Sequence, residues 1–248
     1  MKIILSPAKK MNMDTDSLDY VDLPEYLNQT EVILTWLRSK SHIQLKRLWN
    51  CNDKIAEQNF IRLEQMDLRR NLTPAILSYE GIAFQYMAPA VFEYGQFDYV
   101  QEHLRILSAF YGVLRPMDGV TPYRLEMQAK ASVGGCKDLY ELWESRLYDS
   151  VRDQDGVIIN LASKEYSKCI EKYLTDRDTY ITCVFGEMIG EKVVQKGTYA
   201  KMARGEMVRF MAENKIEDPE KLKEFDRLYY SYREELSSDT EYVFIRTV

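Results

Sequence analysis

Hydrophobic and polar positions along the chain alternate between two rhythms, one suited to strands and one to helices. Residues 2–5 form a short apolar run ended by Ser6-Pro7, which predicts a buried strand running into a loop. Asp14 to Asp22 is acidic and polar, a surface loop. From Pro24 to about Asn71 the spacing is helical, with Val32, Leu34 and Trp36-Leu37 early and Leu45, Leu48 and Trp49 later. Thr73-Pro74 has the form of an N-cap followed by proline at the first helical position and predicts a helix through Ala75, Ile76 and Leu77. Phe97 to Phe110 predicts an amphipathic helix with Val100, Leu104 and Leu107 on one face, ended by Gly112.

The second half follows the same logic. Leu114 to Gly119 is turn-rich. Lys137 to Arg152 predicts a helix with Leu139, Leu142, Trp143 and Leu147 inward. Residues 157–162 are a buried-strand run, and Ser163 stands at the N-cap of a helix that follows. Residues 180–197 alternate as strand, turn and strand, punctuated by Gly186, Gly190 and Gly197. Tyr199 to Asn214 predicts a helix, and Glu241 to Arg246 a closing strand. With no repeat, low-complexity tract or linker, residues 1–248 are expected to form one α/β (mixed α+β) domain, a mixed sheet surrounded by helices.

Composition narrows the class. Of 248 residues, 46% are hydrophobic, enough for a sizeable core, and 18 Tyr with 9 Phe supply large buried areas or stacking surfaces. The net charge is −6, so a nucleic-acid partner requires the cations to be gathered locally. Cys51, Cys136, Cys169 and Cys183 are scattered, with no CxxC pair. With no signal peptide and no apolar stretch near the roughly 20 residues of a membrane span, a reducing, cytoplasmic setting is expected. His42 and His103 have no partner at metal-ligand spacing, so neither a metal nor a cofactor is expected. Phosphate-loop, dinucleotide and serine-hydrolase motifs are absent.

Candidate chemistry sits in four places. The strand at 2–5 leads into Ser6-Pro7-Ala8-Lys9, and the strand at 157–162 into Ser163-Lys164. Strand ends beside helix starts favour anions, although a capping serine with a solvated lysine accounts for either site alone. Leu104 to Pro116, a helical pattern followed by Gly112 and Arg115, has the outline of a helix–hairpin–helix phosphate clamp, but by pattern alone a helix end and turn is the better account. The helix at 199–214 sets Tyr199, Met202, Ala203, Met207 and Phe210 on one side and Lys201 and Arg204 on the other. Gly205 and Ala212 lie beside these cations, so that a phosphate backbone could come close. A solvated basic face explains the same pattern equally well. Glu126, near Arg124, is the candidate catalytic carboxylate, and an ion pair explains it equally well.

Together these segments resemble the YaaA peroxide-stress family over essentially the whole chain. The matching blocks are Ser6-Pro7-Ala8-Lys9; Leu104-Arg105 through Arg115-Pro116 with Pro122 to Met127; Lys137-Asp138-Leu139-Tyr140 with Trp143; Ile159 to Ser163 with Glu165-Tyr166; and Tyr199-Ala200-Lys201 with Ala203-Arg204-Gly205. The resemblance implies binding of duplex or branched DNA without sequence specificity, through a positively charged cleft and a helix–hairpin–helix element. It also implies a role in limiting free intracellular iron. Carried over, Lys9, Arg105, Arg115, Arg124, Lys137, Lys164, Lys201 and Arg204 are expected to line the cleft. A second reading is an enzyme acting on a nucleotide or nucleobase, with Ser6, Tyr123, Asn160, Ser163 and Tyr166 forming a polar pocket around Glu126.

Overall fold

The strand Lys2–Leu5 (β1) is buried throughout, with Ile3 and Ile4 at 0% and Leu5 at 1% exposure in the computed structural model, which describes residues 1–247. Burial on both faces is characteristic of a parallel strand covered by helices, and each such aliphatic side chain contributes about 1.5–3 kcal/mol. The other strands of the main sheet are Leu104–Ser108 (β2), Gly112–Leu114 (β3), Val157–Leu161 (β4), Thr179–Ile189 (β5), Lys192–Val194 (β6), Tyr230–Tyr232 (β7) and Glu241–Arg246 (β8). They form an eight-stranded sheet in the order β7-β8-β5-β4-β1-β2-β3, with β6 paired to β5. The pairings β8–β5, β5–β4, β4–β1 and β1–β2 are parallel, while β3 and β7 add antiparallel edges. The expected mixed α/β sheet is therefore observed.

Helices cover the sheet. Leu27–Arg38, His42–Trp49 and Asp53–Gln65 pack together, and Gly197–Asn214 packs on Ile82–Met87 and Tyr94–His103. Ser41 and Gln44 close a reciprocal capping box at the start of the His42–Trp49 helix. Among the described residues no helix is long and apolar enough to cross a membrane.

Several expectations are corrected. The helix expected over Phe97–Phe110 stops at His103, and Leu104–Ser108 is β2. Leu104, Ile106, Leu107, Ala109 and Phe110 are all fully buried. A continuous apolar run of this kind suits a central strand as well as a helix, and the helical spacing of Val100, Leu104 and Leu107 was incidental to it. Gly112, at φ +81°, closes the β2–β3 hairpin instead of capping a helix, and an added Cβ there would meet the Trp143 ring at 2.8 Å. The Leu104–Pro116 stretch is thus a β-hairpin, and the helix–hairpin–helix element expected there is not formed. Its buried turn is satisfied by side chains: Thr30 Oγ1 donates to the Phe110 carbonyl at 3.1 Å and Trp143 Nε1 to that of Ala109 at 3.0 Å.

Thr73 is no cap either. It lies in a short bridge opposite Val120, its Oγ1 accepts from the Asp14 N–H at 2.8 Å, and the helix that follows is only Ala75–Ser78. The helix expected over Lys137–Arg152 divides into Leu139–Trp143 and Arg146–Val151 at Glu144 (φ +48°), with Leu139, Leu142, Trp143 and Leu147 buried as expected. On the Gly197–Asn214 helix, Gly205 and Ala212 are buried. A Cβ on Gly205 would lie 1.9 Å from the Ala83 carbonyl oxygen, so the small residue admits a neighbouring protein backbone instead of a phosphate. Glu206, on the same helix, is paired with Arg227 at 2.9 Å.

Gly205→Ala is accordingly expected to lower the urea midpoint, with a loss of about 1–3 kcal/mol typical of overpacking. Gly197→Ala, with open space around it, should leave the midpoint unchanged.

Candidate functional site

The sheet reverses its winding at β1: the chain reaches β2 on one side of it and β4 on the other. In open parallel sheets such a reversal leaves a crevice at the carboxyl ends of the strands. A cavity of about 390 Å³ lies there, lined by Leu5 to Lys10 after β1, Leu161 and Ser163 after β4, the 80–84 and 123–126 segments, Glu165, Tyr166, and Lys201 and Arg204 from the Gly197–Asn214 helix. Ser6 ties the two strand ends together. Its Oγ accepts from the Ser163 N–H at 2.8 Å and meets Ser163 Oγ at 3.1 Å. Ser163 stands at the N-cap position, but its side chain makes no capping bond.

Four of the cations expected in the cleft, Lys9, Arg124, Lys201 and Arg204, converge on this cavity. The other four do not line it. Arg105 turns its guanidinium onto the carbonyls of Leu104 (2.8 Å) and Gln101 (3.1 Å). Arg115 pairs with Asp22 (2.9 Å) and Asp118 (3.2 Å), and Lys164 with Glu171 (2.6 Å). Lys137 is exposed at the start of the Leu139–Trp143 helix, where its N–H donates to Glu141. Of the expected pocket residues, Ser6, Tyr123, Ser163 and Tyr166 line the cavity. Asn160 does not: its amide bonds Thr182 Oγ1 (3.2 Å) and the Ala162 N–H (2.9 Å), holding the β4 end in shape.

Glu126 sits in the cavity wall between two cations, 2.7 Å from Lys9 Nζ and 3.7 Å from an Arg124 guanidinium nitrogen. The Arg124 side chain is 11% exposed, and its Nε is buried without a hydrogen-bond acceptor. Arg204 Nε is likewise buried and unpartnered, and burial holds its pKa below the usual arginine value. Burial raises the Glu165 carboxyl, opposed by the Gln128 N–H that donates to it at 3.2 Å. Deeper in, the Tyr123 hydroxyl bonds those of Tyr79 (2.9 Å) and Ser108 (2.7 Å), and burial pushes its pKa up to about 12. It is a neutral phenol at physiological pH.

Sequence reasoning placed Lys10 in the stretch after the first strand without singling it out, and missed Glu80 and the apolar wall of Ile82 and Phe84. They arrive through a two-residue bridge, Lys10 opposite Glu80, too short to leave a periodic signal. Gly81 was the available hint, since a Cβ there would strike that of Ala8 at 2.7 Å. Beyond Glu126 lies a second concavity with Trp36, Lys40, Arg47 and Lys130 in its walls, also unanticipated.

A family model described as peroxide stress protein YaaA matches residues 1–236. The chain belongs to the YaaA peroxide stress family. It is 68% identical over 248 residues to a UPF0246 protein of Agathobacter rectalis, covering all of both chains. It is 57% identical to a UPF0246 protein of Lachnoclostridium phytofermentans, covering 99% of this chain and 96% of that one. With a UPF0246 protein of Desulfitobacterium hafniense the identity is 53%, over 100% and 99% of the two chains.

For a member of a peroxide stress family the thiols are of direct interest. Cys169 and Cys183 are buried, and burial pushes both up to about 12, which keeps them as unreactive thiols. Cys51 and Cys136 are half-buried. Labelling the native protein with a thiol reagent, read by mass spectrometry, should modify Cys51 and Cys136 and reach Cys169 and Cys183 only after unfolding.

Proposed function

We propose that the protein binds DNA without sequence specificity in the peroxide stress response. In this reading the backbone is engaged at the mouth of the cavity, over duplexes or branched structures. The observation that carries it is the convergence of Lys9, Arg124, Lys201 and Arg204, from three separate segments of an acidic chain, on one concave site. Lys9 and Lys201 are exposed at its mouth, and Lys40, Arg47 and Lys130 extend the basic surface beyond Glu126. Contacts of this kind position a phosphate backbone and read no bases. Glu80, Glu126 and Glu165 lie among the cations, so affinity is moderate and falls steeply with salt. Family membership supports the wider role, limiting free intracellular iron and the oxidative damage it drives.

A second reading is favoured by Glu126 alone. It is a carboxylate at 21% exposure, held between Lys9 and Arg124 beside a cavity of ligand size, where it would act as general base on a nucleotide or nucleobase. Turnover of nucleotides or of bases in DNA that disappears in Glu126→Gln would establish it.

In a mobility-shift assay, unrelated duplexes should bind alike and weaken as salt rises. The double change Lys9→Ala, Lys201→Ala should weaken binding and flatten the salt dependence by roughly two phosphate contacts, about 0.9 in logarithmic slope each. Arg115→Ala and Lys164→Ala should leave affinity unchanged. Equal affinity of the double variant and the unaltered protein would sink the DNA reading. In cells, deletion should raise chelatable iron during peroxide exposure, measured by electron paramagnetic resonance.

A further inference from the structure

Among the described residues Arg204 forms no ion pair, although most of its side chain lies in the cavity wall. Its Nε is buried and meets no acceptor, and among the described residues the one titratable group acting on it is the Cys183 thiol, itself buried and neutral. Arg124, across the same cavity, also keeps a buried Nε without an acceptor. Its nearest carboxylate, Glu126, stands off at 3.7 Å and is bonded more closely by Lys9. Removing a guanidinium from water is costly unless an anion and hydrogen-bond acceptors replace the solvent. Two such groups on one cavity describe a site for a compact, multiply charged anion.

We propose that the cavity binds a mononucleotide, its phosphomonoester held by Arg204 and Arg124 and its base lying on the apolar wall. A phosphomonoester carries about −1.5 to −2 charges near pH 7 and presents the oxygen geometry that guanidinium forks match. The wall is supplied by Ile82, Phe84, Leu125 and Leu161. Tyr123 backs this wall, its ring stacked on Phe110 and its hydroxyl committed to Tyr79 and Ser108. Glu165 accepts from the Gln128 N–H and retains capacity for an exocyclic amino group of a base. At about 390 Å³ the cavity falls within the small-ligand range of about 300–1,000 Å³ and takes a single nucleotide, not a duplex. A free nucleotide and the phosphorylated end of a strand present the same chemistry. The inference goes beyond the DNA reading and stands on Arg204, whereas that reading is tested through Lys9 and Lys201.

The test is isothermal titration of the full-length protein with each of the four deoxynucleoside 5′-monophosphates, the matching deoxynucleosides and inorganic phosphate. At least one monophosphate should bind at 1:1, and its deoxynucleoside roughly 10-fold or more weaker, because the charge-assisted bonds are lost. Arg204→Met should abolish that binding without lowering the urea midpoint, since it removes a largely buried Nε that no described group accepts from. Arg204→Lys should bind with reduced affinity. Absence of monophosphate binding at millimolar concentration, or undiminished binding by Arg204→Met, overturns the proposal. A loss of stability or failure to fold in Arg204→Met does so too, by marking the side chain as structural. Short single strands with and without a 5′-phosphate separate the two sources: preference for the phosphorylated strand over free nucleotide assigns the site to strand ends, and the reverse assigns it to the free pool.

Discussion

The burial of β1 between two parallel neighbours is the constraint on which the remaining architecture depends. Ile3 pairs with Leu104 on one side and Ile159 on the other, so three segments far apart in the chain must meet before the sheet exists. Once they do, Leu5 and Leu161 end side by side, and the loops that follow leave from the same edge. The Ser6–Ser163 bonds hold those exits together. Lys9 and the Glu165–Tyr166 pair reach a common cavity through this register, without any local signal directing them there.

Electrostatics then decides which cations remain available. In an acidic chain most basic side chains find a carboxylate nearby: Arg115 has Asp22 and Asp118, Lys164 has Glu171, and Arg227 has Glu206 and Glu213. The exposed ones among them, Arg115–Asp22 and Lys164–Glu171, contribute little to stability, but they neutralise the surface around them. The cavity is different because its acids are unevenly shared. Glu126 serves Lys9 first and Arg124 at longer range, and no carboxylate of the described residues reaches Arg204. Local positive character thus survives in a molecule of net charge −6.

Strands with strong apolar runs were legible in the sequence. The β1, β4 and β8 segments and the β5–β6 hairpin appear where the pattern places them. Leu104–Ser108 was not, because a run buried on both faces carries no period that separates strand from helix. Within the site, Ser6, Lys9, Ser163, Lys201 and Arg204 lie on segments that the pattern singles out as strand ends or a helix face, whereas Tyr123, Arg124 and Tyr166 were named with the family resemblance and Glu126 for its nearness to Arg124. Whether a given cation would face the cavity or a neighbouring carboxylate could not, since that depends on partners such as Asp22 and Glu171 that only tertiary folding brings into reach. Asn160 shows the same limit at a single residue. Its position in the strand pointed toward the cavity region, but its amide is spent on Thr182 and its own following turn.

The contact between Gly205 and the Ala83 carbonyl has a consequence for recognition. The helix bearing Lys201 and Arg204 rests directly on the segment that supplies Glu80, Ile82 and Phe84, backbone against backbone. These two adjoining walls of the cavity are therefore set by the thickness of one peptide group instead of by adaptable side chains. A corner fixed in this way gives little when a guest enters, so any side chain at position 205 would reshape the cavity from a point outside its lining.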